Sequence, residues 1–203
     1  MKIESVKNVN ITLLFASPLN HLLISQKELF DKFKSEGANN DQHSFIEAPG
    51  LKVLVFPKMQ KEIVFEATRI LISDKTGKEV DKSDIIGDLE KIKSLDIVEQ
   101  NKLSAYGFNY DAVVVPDNGN FDIKDLVSDK IAAIENIKSA GINILFEKDR
   151  IIYTLEIKPI KNDGRFIAHF NAHYNSNELP SEKKLKGDIE SQFSEFSHLL
   201  KKI

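Results

Sequence analysis

Three stretches in the second half of this chain sort, by alternation, into an apolar side and a mostly polar one, and that alternation leaves few folds open to it. Tyr106, Phe108, Tyr110, Ala112 and Val114 share one side of the first stretch. Ile151, Tyr153, Leu155 and Ile157 share one side of the second, and Phe166, Ala168, Phe170, Ala172 and Tyr174 one side of the third. Successive side chains on a strand point to opposite faces, so each stretch reads as a strand with one face to bury. The opposite sides carry Asn109 and Asp111, then Thr154, Glu156 and Lys158, then His169, Asn171 and His173. A sheet of this kind needs amphipathic helices against its apolar face.

Those helices are legible at the other period. Leu19, Leu22, Leu23, Leu29, Phe30 and Phe33 recur at helical spacing up to Gly37, and Ala38 to Gln42 reads as a loop. Ser83 precedes a stripe of Ile85, Ile86, Leu89 and Ile92. Asp122 precedes Ile123, Leu126, Val127, Ile131, Ile134 and Ile137, predicted as one buried helical side ending at Gly141. A last helix opens at Leu179-Pro180-Ser181 and carries Leu185, Ile189, Phe193, Phe196, Leu200 and Ile203. Between helices the sequence predicts strands at Val9 to Ala16, His43 to Ala48, Leu51 to Phe56 and Lys61 to Ser73. Leu103 to Val115 and a meander from Ile142 to Asn175 follow. Gly107, inside an aromatic strand, predicts a bulge or bend.

Written out, the order is strand, helix, three strands, helix, twice over, meeting near Gln100. The hairpin Val53–Phe56 with Ile63–Glu66 is echoed by Ile142–Phe146 with Ile151–Thr154. The expected fold is therefore α+β: duplicated β-α-β-β-β-α halves, residues 1–101 and 102–203. They form a mainly antiparallel twisted sheet with helices packed on one face, as one compact unit sharing a continuous sheet. The duplicated layout resembles the saddle of TATA-binding proteins, and a sheet wrapped on a long C-terminal helix is similar to helix-grip ligand binders. Both are likenesses of layout with no motif behind them, and they carry no function.

Composition removes several function classes. The 28 basic and 31 acidic residues leave a net charge of −3, spread evenly along the 203 residues. Nothing here supplies the clustered Lys and Arg that sequence-independent nucleic-acid binding requires. With no cysteine, disulfides, thiol nucleophiles and thiolate metal sites are excluded. No stretch approaches the ~20 apolar residues that span a bilayer, and Val9 to Ala16 lacks a signal-peptide core. The expectation is a soluble, cytoplasmic protein without a membrane role.

Chemistry-bearing motifs are scarce. There is no phosphate-binding loop, dinucleotide fingerprint, nucleophile elbow or zincin pair, so no cofactor is expected. His169 and His173 would share a metal on a helix, but on a strand their Cα atoms lie roughly 13 Å apart, so no metal is expected. Asp111, Glu156, His169 and His173 share the polar face and are candidates for acid–base work should they converge.

The first half differs, because its strands are apolar on both sides. Val53 and Val55 alternate with Leu54 and Phe56, and Val64, Ile70 and Ile72 with Ile63, Phe65 and Leu71. Val64, Ile70 and Ile72 are thus expected on a second apolar face offered to a protein partner or a second copy of the chain. Three readings follow. The first is a non-enzymatic interaction protein using the sheet face opposite the helices. The second is a small-molecule binder with an apolar cavity lined by Tyr106, Tyr153, Phe170 and Phe193. The third is an acid–base enzyme on the polar face.

Overall fold

The computed structural model describes residues 1–33, 43–117, 127–135, 139–161 and 163–203. Among the described residues nine strands form one antiparallel sheet. They are β1 (Lys2–Phe15), β2 (Ser44–Ala48), β3 (Leu51–Phe56), β4 (Lys61–Phe65), β5 (Arg69–Asp74), β6 (Leu103–Val115), β7 (Ile142–Lys148), β8 (Ile151–Pro159) and β9 (Phe166–Tyr174). Their order across the sheet is β2-β3-β4-β5-β1-β6-β9-β8-β7, with β1 and β6 side by side at the centre. The helices are α1 (Gln26–Phe33), α2 (Ile85–Lys93), α3 (Asp96–Glu99), α4 (Asp129–Ala132) and α5 (Glu182–Leu200).

One row of residues shows why this sheet has a core face. Phe45, Leu54, Ile63, Ile72, Ile11, Phe108, Ala172, Tyr153 and Phe146 are directly paired from β2 to β7. All nine are apolar or aromatic, and those on β3 to β8 are buried. Helix α5 lies on this face. The Tyr110 hydroxyl donates to the Ile189 carbonyl at 2.6 Å, and the rings of Phe170 and Phe196 stack with centroids 5.2 Å apart. Helix α2 lies on it too, tied to β4 by a buried ion pair between Lys61 and Asp88 at 2.6 Å. Leu89, Ile92, Leu185 and Leu200 join the sheet's residues in one core cluster. Each fully buried aromatic there stabilises by about 1.5–3 kcal/mol.

Several sequence expectations change. The stretch Lys61 to Ser73 is two strands, β4 and β5, because the chain turns back at residues 66–68. Helix formation after β1 starts at Gln26, with only a short 3-10 turn at His21–Leu23 and Leu22 left exposed. Residues 122–126 and 136–137 of the helix predicted from Asp122 to Ile137 lie outside the described residues. Within them only the single turn of α4 is helical, and Ile131 and Ile134 are 44% and 58% exposed instead of buried. Gly107 stands in regular register opposite Thr12 and His173, so it marks no bulge. A side chain there would come within 3.1 Å of the Ala172 carbonyl, and close packing is what glycine supplies. The irregularities of the central pair instead lie in β1, between Ile3 and Ser5 and between Val6 and Asn8, and in β6 between Leu103 and Ala105. The β7–β8 hairpin turns on Asp149 and Arg150, both left-handed at φ 53° and 65°, as a two-residue turn between twisted strands demands.

Candidate functional site: the open face of the sheet

One residue along each strand from the core row lies a second row, facing away from α2 and α5. It runs Ser44, Val55, Glu62, Ser73, Asn10, Asn109, Asn171, Thr154, Leu145. At its centre the side chains are bonded to one another. Asn171 Nδ2 donates to Asn109 Oδ1 at 2.6 Å, and Asn109 Nδ2 donates to Asn10 Oδ1 at 2.6 Å and to Thr12 Oγ1 at 3.2 Å. Three asparagines on β1, β6 and β9 thus form a hydrogen-bonded ladder across the middle of the sheet. Asn10 and Asn109 are buried, and the ladder gives their amides the partners that burial requires.

A parallel row carries the chemistry. Asn8, Asp111, His169, Glu156 and Asn143 stand opposite one another on β1, β6, β9, β8 and β7. His169 Nδ1 is 2.7 Å from Asp111 Oδ1, and Asn8 Nδ2 donates to Asp111 Oδ2 at 2.9 Å. With the Nδ1 proton donated to the carboxylate, Nε2 is the ring nitrogen turned away from it. Burial pushes the Asp111 carboxyl up, but hydrogen bonds from His169 and Asn8, with the charges of His169 and Lys75, outweigh this. The carboxyl is held below its ordinary value. Glu156 is likewise held low by its hydrogen bond from Lys158, at 2.6 Å.

Of the four acid–base candidates, the structure brings Asp111 and His169 together and leaves the other two apart. Glu156 is the cross-strand neighbour of His169 but bonds Lys158 and Asn143. His173 stands opposite Gly107 and Ile152, its Nε2 3.0 Å from Asn175 Oδ1. Among the described residues the contacts of the Asp111–His169 pair include no hydroxyl or thiol, and no group of three or more His, Asp or Glu could hold a metal. The pair can take or give a proton; a nucleophile would have to come from a ligand.

The expected interaction residues divide between the faces. Val64 pairs with Val53 and Leu71 and faces the open side. Ile70 and Ile72 pair with Leu13 and Ile11, are fully buried, and belong to the core. One unbroken strand through residues 61–73 would place them on the side of Val64, but the turn at 66–68 changes which residues share a side. The apolar wing of the open face is instead Ile46, Val53, Val64 and Leu71, a directly paired row that continues through Thr12 and Gly107 to His173 and Ile152. Val53 and Val64 are nearly covered by their neighbours, whereas Ile46 is 52% exposed, Ile167 52% and Leu145 71%.

The residues expected to line a cavity pack on each other. Tyr153 stacks on Phe170 at 5.7 Å, and Tyr106 on Tyr174 at 4.7 Å with planes 4° apart. Burial pushes the Tyr106 hydroxyl up to about 12 and Tyr110 well above its ordinary value. Phe193, half-buried against Tyr110, also lines a cleft of about 770 Å³ between the start of β1, residues 77–81 and α5. Tyr106, Tyr153 and Phe170 take no part in that cleft.

The asparagine ladder and the Asp111–His169 contact are what sequence reasoning missed or left open. The polar residues are visible at alternate positions, but which ones meet depends on register across three strands far apart in sequence. No protein-family model matches this chain, and comparison with curated proteins finds no match. Among the described residues, no helix is long and apolar enough to cross a membrane.

Proposed function

We propose that this is a non-enzymatic binding protein whose open sheet face holds a protein surface, and that the surface is a second copy of the chain. The observation that carries the reading is the charge pairing of that face. Lys75 bonds Glu62, Lys158 bonds Glu156, His169 bonds Asp111, and Arg165 bonds Asp163 and Glu4. A face on which most charged groups are paired with one another meets a copy of itself with little repulsion, and it lacks the excess positive charge that nucleic acid would select. Ile46, Ile167 and Leu145 give it exposed apolar contacts spread from one edge to the other.

The same reading takes the chain as two β-α-β-β-β-α halves meeting at residues 101–102, the first with an added strand. The innermost places of β1 and β6 support this, as each begins its own block of strands. A cytoplasmic location belongs to it too and suits the cysteine-free composition.

Sedimentation equilibrium of the full chain tests the reading. The parent protein is expected to be dimeric and the Leu145→Lys, Ile167→Lys double variant monomeric with unchanged melting. A parent that is monomeric at every concentration, or a variant that still dimerises, overturns it.

A second reading is acid–base chemistry at the Asp111–His169 pair, favoured by their 2.7 Å contact. It predicts turnover of an activated ester such as p-nitrophenyl acetate that falls at least tenfold in His169→Gln. Activity equal in parent and variant would dispose of it.

A further inference from the structure

Resting on the open-face reading, we propose that docking on this face takes up one proton at the Asp111–His169 pair of each protomer, so that association strengthens as pH falls. The argument is one of charge balance around the pair. From β8, Glu156 faces His169 and is bonded to Lys158. Lys75, which follows β5, acts on Asp111 but is bonded to Glu62. From β1 comes the neutral amide of Asn8. On β9 itself, His173 lies four residues on and bonds Asn175, while Arg165, four residues back, is engaged by Asp163 and Glu4. Each of these charged groups thus has its counter-ion except Asp111, whose contacting cation exists only while His169 is protonated.

In the isolated protein water screens the difference, since Asp111 and His169 are each about one-third exposed at the side chain. A docked surface removes that water. With His169 neutral it would bury a carboxylate without a contacting cation; with His169 charged it buries a hydrogen-bonded ion pair. The docked state therefore binds the proton more tightly, and linkage makes docking more favourable at lower pH. The coupling is read between pH 8 and pH 6, and protonation of Asp111 itself at lower pH ends the effect.

Sedimentation equilibrium of the full chain at pH 8 and pH 6 is the test, run on the parent, His169→Gln, Asp111→Asn and His173→Gln, each first checked for parental melting. The parent dissociation constant is expected to fall at least tenfold between the two pH values, each of the dimer's two protons allowing no more than about tenfold per unit. His169→Gln and Asp111→Asn should lose the dependence and His173→Gln keep it. Dimers of equal strength at both pH values, or a His169→Gln protein that keeps the dependence, overturn the proton coupling and leave the docking face standing. A parent that stays monomeric at both pH values overturns both.

Discussion

The rows Phe45 to Phe146 and Ser44 to Leu145 lie one residue apart on each of the nine strands, yet they are different materials. The first is apolar without interruption and is held by burial against α2 and α5. The second is apolar only at Val55 and Leu145 and is held at its centre by amides bonded to one another. The difference teaches that the two faces answer to different forces. Burial on the core face tolerates imprecise partners, because hydrophobic transfer has no direction. The open face tolerates little, because each buried amide depends on a neighbour's geometry.

Substitutions at adjacent positions of β6 probe the contrast. The largest effect belongs to the core row: Phe108→Ala should lower unfolding free energy by about 3–5 kcal/mol, read from urea denaturation. A loss under 1 kcal/mol would mean that the core face is far less tightly packed than its burial indicates. One residue on, Asn109→Ala should cost about 1–3 kcal/mol, because it removes a small side chain but leaves Asn171 Nδ2 without its acceptor and Asn10 Oδ1 with only a 3.4 Å hydrogen bond from Thr12. Replacing all three asparagines with leucine should restore much of that loss, since no buried polar group is then stranded. If the triple variant is worse than the single one, the ladder does more than satisfy itself.

Acid sets the faces apart more gently. Asp111 and Asp74 are both held below the ordinary aspartate value. For Asp74, burial raises it but hydrogen bonds from Ser83 and Thr76 outweigh this. A carboxyl lowered on folding contributes stability that is present above about pH 4 and lost as pH falls through the folded value. The urea midpoint should therefore fall below pH 4, and Asp111→Asn and Asp74→Asn should each remove part of that fall. A fall identical to that of the parent would show that neither group is coupled to folding. The smallest effect belongs to the exposed ends of the open face. Leu145→Lys and Ile167→Lys should each change stability by no more than about 0.5 kcal/mol while weakening self-association.

Much of this was open to sequence reasoning where the cause is local. The strand β6 runs over Leu103–Val115 as its alternation predicts, and the sides assigned to β8, β9 and the final helix stand, because period and side are properties of a few consecutive residues. Where a turn was missed, at residues 66–68, the same logic failed, since one break in a strand reassigns every side chain beyond it and sent Ile70 and Ile72 to the core. The candidate site was legible only as a list: Asp111, Glu156, His169 and His173 were named together, but nothing in their spacing distinguishes the pair that meets from the two that do not.

By itself, then, the sequence determined the α+β class, the face of the second-half strands that must be buried, and the near-neutral charge of the whole. Only the tertiary structure decided that Asn10, Asn109 and Asn171 form one ladder and that Asp111 meets His169. The physical reason is that alternation is set within a strand, whereas register is set between strands. Here the central partners are separated by 58 residues for His169 and Asp111 and by 99 for Asn109 and Asn10.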